Sequence, residues 1–114
     1  ISKAKIMSYQ IKIKPLSVNM AFRGKRFRTL EYNDFIQKMH SLLPKDLIIP
    51  NEKYIKIDIQ FGFSSRASDI DNCCKSFLDC LVKKYKVDDR NIYEMHVFKD
   101  IVKKGDEYIH FKIY

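Results

Sequence analysis

Between residues 69 and 89 the chain carries Asp69-Ile70-Asp71-Asn72, then Lys75, Asp79 and the pair Asp88-Asp89. Gathered carboxylates can act as hard oxygen ligands for Mg²⁺ or Mn²⁺, and a nearby lysine can face a phosphate. Two ionised carboxylates about 5 Å apart repel by roughly 3 kcal/mol at an effective dielectric of about 20. Three in one site therefore call for a cation or a proton among them. The same residues also admit a purely structural reading. Ser68-x-x-Asp71 resembles a capping box, Asp71–Lys75 and Lys75–Asp79 are i,i+4 pairs, and Asp88-Asp89 suits a turn. A D-x-D pattern alone does not choose between the two.

Spacing sets conditions on the metal reading. Residues i and i+2 do not face each other on a helix but share a side on extended chain. Asp69 and Asp71 converge only if Asp69 precedes the helix proper. A helix from about Ser68 to Tyr85 is about 25 Å long and leaves Asp88-Asp89 at its far end. Asp89 must then be returned to the site by folding or by dimerisation.

The surrounding charge points to the partner. Lys and Arg total 22 against 14 Asp and Glu, giving a net charge of +8 and a pI of about 9.4. Such a basic domain suits a polyanion. No strongly basic amphipathic helix with exposed Trp or Phe is visible, so nucleic acid ranks ahead of an anionic membrane. Carboxylates holding a metal attract phosphate, which reconciles the acid cluster with the basic chain. The run Arg23-Gly24-Lys25-Arg26-Phe27-Arg28 reads as a flexible arm for backbone phosphates or as a solvated basic loop.

At 114 residues, 46% of them hydrophobic, the chain fits one globular domain over residues 1–114 and not a disordered segment. No bilayer-length apolar run and no signal-peptide pattern is present, which suggests a cytoplasmic protein. Cys73, Cys74 and Cys80 are odd in number and lack C-x-x-C spacing, so they read as small apolar residues of a reduced protein.

The elements that must position these groups follow from periodicity. Tyr9 to Lys14 alternates apolar and basic residues and reads as a strand ended by Pro15. Tyr32, Phe35, Ile36, Met39, Leu42 and Leu43 recur at helical spacing after a Thr29 cap, and Pro44 stops that helix. Tyr54 to Phe63 is the clearest strand, with Ile55, Ile57, Ile59, Phe61 and Phe63 on one face. The Ser68–Tyr85 helix buries an arc including Cys73, Phe77, Cys80 and Leu81 and leaves an Asp71-Lys75-Asp79 stripe open. Ile92 to Val102 is apolar on both faces, as a central strand would be. Lys103-Lys104-Gly105-Asp106 turns the chain into a last strand, Tyr108 to Tyr114. The order strand-helix-strand-helix-strand-strand predicts an α/β (α+β) fold, one mixed sheet with two helices packed on it.

Taken together, Asp69-Ile70-Asp71-Asn72, Lys75, Phe77-Leu78-Asp79-Cys80-Leu81 and Val87-Asp88-Asp89-Arg90-Asn91-Ile92 resemble the signature of the RusA family of Holliday junction resolvases. Pro15-Leu16-Ser17-Val18-Asn19 followed by Phe22-Arg23 resembles that family's amino-terminal loop. The specific part is D-x-D-N-x-x-K with a downstream D-D. Val18, Met20 and Ala21 depart from the loop's usual residues, and Cys73-Cys74 is unusual before the lysine.

The resemblance implies a small dimeric endodeoxyribonuclease that nicks four-way DNA junctions with Mg²⁺ or Mn²⁺ in recombination and repair. It makes Asp69, Asp71 and Asp89 the metal-binding catalytic carboxylates and Lys75 the contact to the scissile phosphate. Asp89 matches better than Asp88, which with Asp79 is left a supporting role. Asn19, Arg23, Lys25, Arg26, Arg66 and Asn72 join Lys75 as candidate DNA contacts. A homodimer with two matched sites suits the approximate twofold symmetry of a four-way junction. Two alternatives remain: a non-catalytic nucleic-acid-binding module, and a metal-dependent nuclease for other branched DNA.

Overall fold

The computed structural model describes residues 8–17, 22–23 and 27–114, with the backbone alone at 22–23 and 27–28. Among the described residues, six strands and two α-helices follow one another: β1 (Ser8–Ile11), β2 (Phe22–Arg23), β3 (Phe27–Arg28), α1 (Leu30–Leu42), β4 (Ile55–Phe63), α2 (Cys74–Tyr85), β5 (Ile92–Ile101) and β6 (Tyr108–Ile113). A short 3₁₀ turn, Asp89–Asn91, leads into β5. The main sheet has the order β1-β6-β4-β5. β4 pairs antiparallel with β6 and parallel with β5, so the sheet is mixed, with two helices, as the sequence predicts. β2 and β3 form a separate two-stranded ladder where the sequence suggested only a basic loop.

β4 is the spine. Its alternating Ile55, Ile57, Ile59, Phe61 and Phe63 are all buried, and they meet Phe77, Cys80 and Leu81 of α2 and Phe35 and Met39 of α1 in one core. Phe77 packs edge-on to Phe61 at 6.4 Å and tilted against Phe111 at 5.2 Å. α1 starts where expected: the Thr29 hydroxyl accepts from the Tyr32 amide at 3.2 Å. Its C-terminus is held from α2, where the Lys84 ammonium donates to the carbonyls of His40 and Leu43 and the Tyr85 hydroxyl donates to that of Pro44. A cation there also suits the helix dipole.

Gly62 has no room for a side chain: an added Cβ would lie 2.4 Å from the Tyr108 ring. That ring is fixed by its hydroxyl, which accepts from the Gln60 amide at 2.9 Å and donates to Asp100 at 2.8 Å. Gly62→Ala must displace the ring or the strand, and is expected to lower unfolding free energy by about 1–3 kcal/mol in urea titration. An unchanged midpoint would show that the ring moves freely.

Two expectations are corrected. The second helix begins at Cys74, not Ser68, and Cys73 at its N-cap makes no side-chain capping bond. Residues 69–73 form successive turns instead, with the Asn72 amide donating to the Asp69 carbonyl at 3.3 Å and the Cys74 amide to that of Asp71 at 3.2 Å. The Ser68–Asp71 capping box is therefore not formed. The Ile92–Val102 strand is at the edge of the sheet, not its centre, and none of the ten β5 residues is fully buried.

Candidate active site

A right-handed β-α-β crossover is the expected geometry for a parallel pair, and its course places the acidic residues. The chain leaves the top of β4 at Phe63, turns through residues 64–73, descends α2, and re-enters the sheet at Ile92. Ile92 pairs with Ile55 and Ile101 with Phe63. Asp69 and Asp71 therefore lie beyond the Phe63 end of the sheet, and Asp89 lies at the Ile55 end. A nine-residue strand is about 26 Å long between its end residues. Two ligands of one Mg²⁺ lie about 4 Å apart. One chain thus brings Asp69 and Asp71 to one place and Asp89 to another. Among the described residues, no three His, Cys, Asp or Glu side chains of one chain gather as a metal-binding group.

The first place is well defined. Asp69 and Asp71 are both exposed and both precede α2, the condition their i,i+2 spacing requires. The Asn72 side-chain amide donates to the Asp69 carboxylate at 3.1 Å, fixing its orientation. The turn itself is pinned from β5: the Lys99 ammonium donates to the carbonyls of Arg66 at 2.8 Å and Ser68 at 2.6 Å. Sequence reasoning missed this lysine. The signal was available, since Lys99 shares the helix-facing parity of Met95, Val97 and Ile101, where a charge needs a partner. A cavity of about 570 Å³ opens beside Asp69, lined in part by Lys14, Leu16, Glu31, Ser64, Ser68 and Asn72.

Lys75 stands in the first turn of α2 and pairs with Asp79 at 3.3 Å, not with Asp71. Asp79 in turn accepts from the Tyr32 hydroxyl at 2.9 Å. The stripe expected to be open is thus partly closed: Asp79 ties α1 to α2, and its side chain is only 19% exposed against 59% for Lys75. Losing an ion pair with so exposed a lysine costs about 0–1 kcal/mol, so Lys75 can turn toward a phosphate cheaply.

At the other end of the sheet the two aspartates differ. Asp88 caps the 3₁₀ turn, accepting from the Arg90 amide at 3.0 Å, and binds the Arg90 guanidinium at 2.9 Å. Those hydrogen bonds hold its carboxyl below the usual range. Asp89 is exposed, and no described residue makes a hydrogen bond or ion pair to its carboxylate. Asp89 is the carboxylate available for other work.

The donor set fits a hard cation. Burial pushes the thiols of Cys73 and Cys80 up to about 12 and raises that of Cys74. All three are free and buried or half-buried, so the exposed donors at the site are the carboxylate oxygens of Asp69 and Asp71, which suit a hard cation. The remaining candidates divide. Arg66 is exposed in the 64–73 turn. Asn19, Lys25 and Arg26 lie outside the described residues, as do Val18, Met20 and Ala21, and Arg23 is described only as backbone in β2.

A family model described as Endodeoxyribonuclease RusA matches residues 18–112, most of the 114-residue chain. The chain belongs to the RusA endodeoxyribonuclease family. No curated protein sequence matches it. The RusA match runs through both acidic regions into β6, so Asp69, Asp71, Lys75, Asp88 and Asp89 all lie within it. RusA membership makes the chain a DNA-cutting enzyme, in keeping with its net charge of +8. No helix among the described residues is long and apolar enough to cross a membrane.

Proposed function

We propose that this protein is a Mg²⁺- or Mn²⁺-dependent, structure-specific endonuclease that resolves four-way DNA junctions by paired nicks, acting inside the cell in recombination and repair. The observation that carries the reading is the pair Asp69 and Asp71, held in a pinned turn ahead of α2, in a RusA-family chain whose third candidate carboxylate, Asp89, lies uncommitted at the opposite end of the same crossover. Each site would be built from Asp69 and Asp71 of one subunit and the partner's Asp89. A C2 homodimer then has two such sites, matching the symmetry of its substrate.

Asp69, Asp71 and the partner's Asp89 would hold the divalent ion, which would supply Lewis-acid chemistry for the phosphate and for an attacking water. The protein's own groups supply position and charge. Asn72 orients Asp69, and Lys99 holds the turn that carries it. Lys75, released from Asp79, sets a positive charge where the pentavalent phosphate gathers negative charge. Arg23, Lys25, Arg26 and Arg66 hold flanking phosphates, with Asn19 and Asn72 as polar contacts, so affinity falls steeply with salt. Asp88, committed to Arg90, shapes the turn that presents Asp89.

The test is nicking of end-labelled four-way junctions, flaps and plain duplex in Mg²⁺ and in EDTA. Junction-selective, symmetric, EDTA-sensitive cuts are expected. Equal cutting of all three substrates would point to a general nuclease. Tight junction binding with no cutting in either buffer would leave only a binding module.

A further inference from the structure

We infer that Lys99 is a positioning residue that selects between two starts of α2, only one of which lets Asp69 and Asp71 share a metal ion. The consequence rests on the metal reading above. The choice of start is testable without metal or DNA.

The choice turns on one carbonyl. A helix capped by Ser68 needs the Ser68 carbonyl to accept its first bond, from the amide of Asn72 four residues on. In the structure that carbonyl accepts from the Lys99 ammonium at 2.6 Å. The Asn72 amide donates instead to the Asp69 carbonyl at 3.3 Å, a tighter turn one residue short of the helical bond. The same ammonium donates to the Arg66 carbonyl at 2.8 Å, so the lysine holds the chain on both sides of Ala67.

The longer helix is otherwise well provided for. Ser68 is a preferred N-cap residue, and Ser68-x-x-Asp71 has the spacing of a capping box. Asp69 and Asp71 would fall in its first turn, where the helix dipole favours carboxylates. The observed start has neither advantage: Cys73 makes no side-chain capping bond, and the first turn of α2 holds no acidic residue. The segment is also close to helical already. Cys73 has αR backbone, and the Cys74 amide donates to the Asp71 carbonyl at 3.2 Å. Against the longer helix stand the two bonds from Lys99, each charge-assisted and so roughly twice as strong as a neutral one. An ammonium beside Ser68 also opposes a helix N-terminus there.

The two starts differ in what they do to the carboxylates. In the longer helix Asp69 and Asp71 lie about 200° apart around the axis, and Asp71 turns back toward the Ser68 amide. Carboxylates so placed cannot ligate one ion. In the observed turn Asp69 precedes the helix and is oriented by the Asn72 side chain at 3.1 Å. An ion bound by both carboxylates therefore favours the same state as Lys99 does.

In NMR spectra of Lys99→Met in EDTA, the Cα shifts of residues 69–73 should move to helical values. Lys99→Arg, which keeps the donors, should resemble wild type. Broadening of the Asp69 and Asp71 signals should need about 10–100-fold more Mn²⁺ in Lys99→Met, and saturating Mg²⁺ should draw its shifts back toward the turn. Adding Ser68→Ala, which removes the rival cap, should recover part of the Mn²⁺ response. A lysine that only stabilised the fold would not be rescued in this way. Unchanged shifts at 69–73 in Lys99→Met overturn the inference, as does helix gain with an unaltered Mn²⁺ response. If Lys99→Met does not fold, Lys99→Gln, whose shorter neutral side chain bonds more weakly, is read by the same signals. Helix gain in the variant beside a wild type that binds no Mn²⁺ at Asp69 and Asp71 would fault the metal reading and leave the control of the helix start standing.

Discussion

Asp71→Asn is expected to slow junction nicking by at least about 10³-fold while leaving junction affinity within about twofold. The rate falls because the substitution removes one of the two carboxylates that a single chain brings together, and Lewis-acid stabilisation is worth several kcal/mol at the transition state. Affinity holds because most of it comes from lysines and arginines on phosphates, which the change does not touch. Asp71 is exposed, and among the described residues its carboxylate accepts no hydrogen bond, so folding stability should stay within about 0.5 kcal/mol. Single-turnover cleavage of a labelled junction in Mg²⁺, beside mobility shifts in EDTA, separates the two effects. Equal nicking by mutant and wild type would remove Asp71 from the chemistry.

Asp89→Asn should be as damaging, although in its own chain Asp89 and Asp71 lie beyond opposite ends of β4, a strand about 26 Å long. A residue that far from a site within one subunit would ordinarily change cleavage little. Asp88→Asn is the informative neighbour. Its carboxylate binds Arg90 and caps the 3₁₀ turn, so its loss should loosen the turn and lower the rate without abolishing it. Comparable losses at Asp69, Asp71 and Asp89, with a milder one at Asp88, would match three ligands and one support.

Much of the scaffold could be read from the sequence because local rules agree with the fold. The strict alternation from Ile55 to Phe63 and the stripe Tyr32-Phe35-Met39-Leu43 each fix an element and its buried face. The start of α2 could not be read so, because its determinant is not local. Lys99 takes the carbonyls of Arg66 and Ser68, the latter from 31 residues away, and holds as a turn what Ser68 and Asp71 alone would let become helix. The edge position of β5 was hidden for a related reason. Apolar residues on both faces look alike whether a strand of the same chain or of another covers them.

The site divides similarly. Residue types and the D-x-D-N-x-x-K spacing marked Asp69, Asp71 and Lys75, and the need for Asp69 to precede the helix is met. The position of Asp89 depended on strand order, which spacing does not carry. A parallel β4–β5 pair sends the chain back to the Ile55 end before β5 begins, and so opposes the two acidic regions. The Tyr32–Asp79 bond was equally out of reach, since it joins helices 47 residues apart in sequence.

The shared site is tested most directly by mixing two dead subunits. Asp71→Asn and Asp89→Asn chains, carrying different tags and co-expressed, can be purified as heterodimers. If each site takes Asp69 and Asp71 from one chain and Asp89 from the other, one of the two sites in such a heterodimer combines both substitutions and the other contains neither. Junction nicking should return to about half the wild-type rate per dimer, with single nicks replacing paired cuts. Heterodimers as inactive as either homodimer would contradict the account, because each site would then lie within its own chain and carry its own lesion.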